Sequence, residues 1–240
     1  MEWCIGTSGY SYPPWKGVFY PEDLPAARML EFYGQRLNAV EINNTFYRLP
    51  KQEVVRSWAG QVPHGFRFVI KASRRITHFT RLGPEAEEPT AYLLRNVEEL
   101  GDRLGAVLFQ LPPNLKIDLV RLETFLSWLP PGLPAAFEFR HASWSDEGVH
   151  ALLKEHDAAL VCADTDDTDE EESIVSTATW GYLRLRRADY DDDALAGWSK
   201  RIADRDWRRA FVFFKHEDAG AGPRLAERLG SIVGLSPPRT

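Results

Sequence analysis

Charged and amide side chains recur in this sequence at positions where a buried apolar residue is expected. Glu41 and Asn43 lie in AVEINNTF (39–46), Lys71 in FRFVIKAS (66–73) and Gln110 in GAVLFQLPP (105–113). Glu138 and Arg140 interrupt PAAFEFRHASW (134–144), Asp164 ends ALVCAD (159–164), and Arg184 sits within GYLRLRR (181–187). A lone buried charge is unfavourable by several kcal/mol, so these groups must meet one another or a ligand. Three acids (Glu41, Glu138, Asp164) against three bases (Lys71, Arg140, Arg184) nearly balance, as burial requires.

Such a set suits several chemistries. Arginine forks hold phosphate or carboxylate in a bidentate way, and Arg74, Arg75 and His78 extend the basic side beyond Lys71. Glu41 and Glu138, close to cations and to each other, are candidates for proton transfer. His141, beside Arg140 and Trp144, is a third catalytic candidate. Lys71 could form a Schiff base, but neighbouring carboxylates would favour its ammonium form, so an ion-pair role is preferred. Tyr10 and Trp15 are the strongest candidates to stack on a bound ring, and Trp144 is expected at the rim. Glu41, Glu138, Asp164 and His141 could ligate a metal, yet the cations compete for the acids. No HxH or HExxH spacing exists, so no metal and no cofactor are assigned. The plainest alternative is an ion-pair network that fixes strand register and binds nothing.

The elements that would gather these residues alternate along the chain. Eight strand patterns, nearly all followed by helical ones, give the count of a (β/α)8 TIM-barrel-like α/β fold in one domain over residues 1–240. The sixth helix is missing or very short, because the acidic run DTDDTDEEES (164–173) stands in its place. That run lacks the glycine and final glutamate of an EF-hand and reads as a solvated loop. A doubly wound open sheet is the structural alternative, but no GxGxxG or Walker loop supports it. In a parallel barrel both strand faces are buried, side chains alternate between lumen and helices, and ligands bind at the C-terminal strand ends. Packing Val40, Ile42, Phe68, Ile70, Phe137 and Phe139 against helices leaves the charged residues facing the lumen.

Composition narrows the partners. The 240 residues are 44% hydrophobic with a net charge of -6, which argues against broad electrostatic binding of nucleic acid. Cys4 and Cys162 have no CxxC neighbour and read as buried thiols. No signal-peptide pattern opens the chain and no apolar run would span a bilayer. A cytoplasmic location and no membrane partner are therefore expected.

Long motifs add a resemblance. GTSGYSYPPWKGVFYP, VEINNTFYRLP, FVIKASRRITH, LFQLPP, EFRHASW and YLRLR occur in this order, and from residue 4 to about 233 the chain closely resembles the YecE-like family. The resemblance implies a TIM-barrel-like fold and no established reaction. It also marks a departure, because Lys215 and His216 stand where the family usually carries paired asparagines after its last strand. The expected function is binding of a small anionic molecule, phosphorylated or carboxylated, at the C-terminal mouth, with glutamate acid–base chemistry if the protein is an enzyme. Nucleic-acid binding or processing is the second hypothesis, motivated by KASRRITHFTR (71–81), and a non-catalytic sensor or scaffold is the third.

Overall fold

The structure, a computed structural model, describes residues 1–166, 173–215 and 220–235. Eight parallel strands close into a barrel in sequence order. They are β1 (Glu2–Ser8), β2 (Ala39–Ile42), β3 (Arg67–Lys71), β4 (Leu104–Gln110), β5 (Ala135–Glu138), β6 (Ala159–Asp164), β7 (Trp180–Leu185) and β8 (Arg209–Phe214). Among the described residues, α1 (Met29–Gly34), α2 (Gln52–Ala59), α3 (Glu87–Val97), α4 (Leu119–Ser127) and α5 (Glu147–Glu155) follow the first five strands. α6 (Asp192–Ala203) follows β7 and α7 (Ala221–Ile232) follows β8. None is described between β6 and β7, as the acidic run led one to expect, although residues 167–172 of that run lie outside the described residues. Among the described residues no helix is long and apolar enough to cross a membrane.

Alternation sorts the strands into two apolar layers. Phe68, Ile70, Phe137, Leu183, Val212 and Phe214 belong to the large core between sheet and helices. Val69, Leu108, Ala136, Tyr182, Phe211 and Phe213 fill the lumen. The consecutive apolar residues of β8, ambiguous in sequence, resolve with Phe211 and Phe213 inward. Both cysteines are buried, as expected, and no disulfide joins them.

Three of the helices, α4, α5 and α6, start at a short acidic side chain that caps them. Asp118 accepts from the Arg121 amide at 3.0 Å, and Asp191 from the Ala194 amide at 2.8 Å. The cap of α5 is Asp146, which accepts from the Gly148 amide at 2.8 Å. The seam between β1 and β2 is stitched by side chains. Asn38 accepts from the Ile5 amide and donates to the Trp3 carbonyl. The Tyr33 hydroxyl, from α1, accepts from the Thr7 amide and donates to the Ala39 carbonyl.

Several strands end earlier than their hydrophobic patterns suggest, and this shapes the mouth. β2 stops at Ile42 because Asn43 turns into helical backbone and opens a 3-10 turn over Asn44–Phe46. β5 stops at Glu138, so Arg140 stands beyond the ladder. After β3, a π-helical turn over Arg75–Phe79 brings His78 back against Phe46.

Candidate functional site

The inner level of the mouth is a closed network. Arg184, on β7, sends Nη2 to Glu41 Oε1 on β2 at 2.8 Å and Nη1 to Glu138 Oε2 on β5 at 2.6 Å. Tyr182 donates its hydroxyl to Glu41 Oε2 at 2.6 Å, and Gln110 donates Nε2 to Glu138 Oε2 at 2.8 Å. Glu41, Glu138 and Arg184 are at most 3% exposed. Burial pushes both carboxyls upward, but Arg184 and the surrounding donors outweigh it. Glu41 is held below its ordinary value and Glu138 at about 2. Burial conversely raises the Tyr182 hydroxyl well above its usual range. These carboxylates stay ionised near neutrality, and a base so weak removes protons poorly. In this arrangement Glu41 and Glu138 are the counter-ions of Arg184.

Among the described residues, two polar atoms of this level have no hydrogen-bond partner. Arg184 Nε and Ser8 Oγ are buried without a hydrogen bond, although Ser8 lies near enough to Glu41 to favour its charged form. Ser8 was missed in sequence, yet the inward phase of β1, running Cys4, Gly6, Ser8, carries the signal.

The outer level is basic and partly open. Arg140 donates Nε to Glu138 Oε1 at 3.1 Å with a third of its side chain exposed, and Arg186 Nη1 lies 3.7 Å from the same oxygen. Burial and the neighbouring Arg184 lower the pKa of Arg186. Lys71 holds Nζ 4.5 Å from the centre of the Phe46 ring. Burial, then Arg184, lowers the Lys71 amine to about 8 against the opposing pull of Glu41 and Glu138. His78 is lowered by burial and by Lys71, Arg140 and Arg81, and its Nδ1 meets Thr77 Oγ1 at 2.9 Å.

Asp164 does not belong to this set, contrary to expectation. Val161 faces the lumen and Cys162 the helices, so alternation turns Asp164 to the helix side. There it accepts from Arg187 Nε at 2.7 Å and from the Tyr190 hydroxyl at 2.6 Å. Its departure upsets the expected balance. Among the described residues, with Lys71 charged, four cations (Lys71, Arg140, Arg184, Arg186) face two carboxylates (Glu41, Glu138), a surplus of two positive charges.

The remaining expectations divide. Trp15 is buried against Tyr12, Phe19 and Tyr20, so it has no free face for a ligand. Trp144 is also buried and not at the rim. It stacks on Phe139 at 4.3 Å and donates Nε1 to the Leu115 carbonyl. His141 is half-buried and caps the short turn over Ala142–Trp144, its Nδ1 accepting from the Ser143 amide at 3.1 Å. Asn43 has left the strand, and with Tyr10 it lines a cleft of about 170 Å³ between the ends of β1 and β2. Lys71 enters no ion pair among the described residues, because the carboxylates expected to hold it are bound by arginines. Lys215 is exposed one residue past β8, and His216 lies outside the described residues. Among the described residues no group of three or more His, Cys, Asp or Glu side chains is arranged to hold a metal ion.

Comparison with known proteins agrees with this architecture. Residues 4–240 match the family described as "Protein of unknown function DUF72". The chain is 33% identical over 145 residues to the UPF0759 protein YecE of Escherichia coli strain K12, and the same holds for YecE of strain O157:H7. That match covers 60% of this chain and spans about half the length of the curated relatives, 50%. A crystal structure of a DUF72 family protein from Thermotoga maritima superposes with a TM-score of 0.86 at 25% identity, covering 98% of this chain and 100% of the other. One from Enterococcus faecalis gives 0.81 at 20% identity, covering 99% of each.

Proposed function

The chain belongs to the DUF72 family, whose members share this barrel and are described as proteins of unknown function, and from that premise we propose that its mouth binds a small anionic metabolite carrying a phosphate or carboxylate. The observation that carries the reading is the surplus of positive charge left when Arg184 has satisfied both glutamates. A purely architectural network would be expected to neutralise itself. Here the inner level is saturated apart from Arg184 Nε and Ser8 Oγ, and the partly exposed Arg140 and Arg186 share one oxygen of a Glu138 that Arg184 already binds, while Lys71 enters no ion pair among the described residues. The glutamates aim the arginines, and the outer cations engage the ligand. Guanidinium forks match the geometry of phosphate and carboxylate oxygens.

The test is thermal unfolding in inorganic phosphate, citrate and chloride at constant ionic strength. A ligand at ten times its Kd stabilises by about 1.4 kcal/mol, which raises Tm by roughly 3–6 °C in a domain of this size. The Arg186→Ala and Arg140→Ala variants should each lose most of that shift. Equal shifts in all three salts, or shifts unchanged in both variants, would remove the proposal.

A second reading has one observation in its favour. Tyr47 and Phe79 are about two-thirds exposed beside the mouth, and the Arg74 guanidinium lies over both rings. Aromatic faces next to cations suit unpaired nucleotide bases. Gel retention of single-stranded DNA and RNA across a salt series, with and without divalent metal, tests this reading. Retention abolished by Tyr47→Ala would support it, and no retention at low salt would end it.

A further inference from the structure

Lys71 is the mouth's unspent amine. It ends β3 on the inward phase, and among the described residues its Nζ makes neither an ion pair nor a hydrogen bond. Both Glu41 oxygens are taken by Arg184 and Tyr182, while those of Glu138 are taken by Arg184, Gln110 and Arg140. The aliphatic stem is largely buried and Nζ rests by the Phe46 ring. A structural lysine would be expected to point at a carboxylate. This one lies over the Phe46 ring with Arg184 and Arg140 close enough to act on its charge.

We infer that Lys71 is a nucleophile that condenses with the carbonyl group of an anionic aldehyde or ketone to form an imine. The inference deepens the anion-site reading and rests on it for the charge of the ligand. In the step, the neutral Nζ attacks the carbonyl carbon and the carbonyl oxygen takes up a proton. The carbinolamine then expels that oxygen as water while nitrogen loses its protons and the C=N bond forms. One water is released per imine, and nothing is oxidised or reduced. Arg140, Arg184 and Arg186 supply the positive field that would hold the carboxylate or phosphate of the same molecule. That field also disfavours the ammonium form of Lys71. With its pKa at about 8, about a quarter of the amine is neutral at pH 7.5, against about a thousandth for an ordinary lysine.

The full chain treated with glyoxylate and sodium cyanoborohydride at pH 7.5 would be digested and its peptides mapped by mass spectrometry. Reduction of the imine leaves a carboxymethyl group on the reacting nitrogen. Lys16, Lys51, Lys116, Lys154, Lys200 and Lys215 serve as internal references. Lys71 should be labelled about tenfold faster than these, with a rate that levels off above a pH of about 8 while theirs keep rising. Labelling of Lys71 no faster than the references overturns the inference. Glycolaldehyde, which is uncharged, should show a smaller preference for Lys71, and an equal preference removes the requirement for an anion. Inorganic phosphate, which cannot form an imine, separates the two readings. Stabilisation by phosphate without selective labelling overturns the imine alone. Selective labelling without stabilisation or protection by phosphate overturns the anion site alone.

Discussion

Arg184 decides most of what happens at the scale of single residues. Its two terminal nitrogens bind carboxylates from β2 and β5, so one side chain neutralises two buried charges and ties three strands together. Replacing it by methionine should cost about 3–5 kcal/mol, because Glu41 and Glu138 would remain buried with weakened compensation. Urea unfolding of Arg184→Met against the parent chain measures that loss. Glu138 makes a complementary prediction about pH. Its carboxyl is at about 2 in the folded chain against an ordinary 4.5, so the unfolded chain binds the proton more tightly. Its contribution is complete above about pH 4.5 and is lost as pH falls towards 2. Glu41, shifted in the same direction, adds to this acid limb. Urea midpoints from pH 6 down to 2.5 should fall along that window, and less steeply in Glu138→Gln.

Individual elements explain why some charged residues reach the mouth and others do not. β6 carries Asp164 on its helix-facing phase, where the loop between β7 and α6 supplies Tyr190 and Arg187. β2 ends one residue before Asn43, so period-two alternation no longer governs where that side chain goes. The Tyr33 hydroxyl takes the place of a direct ladder bond between β1 and β2 by pairing with Thr7 and Ala39. Tyr33→Phe keeps the ring packing but leaves a buried amide and a buried carbonyl short of a partner, which costs about 1–3 kcal/mol. Chemical denaturation should show that loss, and faster hydrogen exchange should appear at the Thr7 amide. Unchanged stability would mean that the strands close directly on each other without the hydroxyl.

For the whole molecule, the relevant quantity is the contrast between a net charge of -6 and a mouth with surplus positive charge. A cationic focus on an acidic protein attracts small anions, whereas a long polyanion also meets the repulsive remainder of the surface. Phosphate should therefore stabilise the chain in low salt, while a 30-mer of single-stranded DNA is not retained above roughly 0.1 M salt. Thermal shift and gel retention on the same preparation check both halves. The opposite rim of the barrel is built for stability. Glu2 there pairs with Arg67 and Arg209, linking β1 to β3 and β8 far from the open mouth.

The sequence by itself determined the barrel and its phase. Period-two alternation in FEF and LRLR places Glu138, Arg184 and Arg186 opposite the helix-facing Phe137 and Leu185, and Gln110 and Lys71 follow the same rule. Alternation acts within a strand, so it needs no knowledge of distant residues. It fails where the strand ends, as at Asn43, and where a run is apolar on both phases so that neither stands out, as in ALVCAD before Asp164. It is also silent on partners. Trp15, expected to stack on a ligand, and Trp144, expected at the rim, are both buried by packing that their sequence positions do not reveal. Which carboxylate meets which cation depends on strands up to 143 positions apart closing on one another. Closure gave both glutamates to Arg184, moved Asp164 out of the lumen, and left the amine of Lys71 without a carboxylate among the described residues.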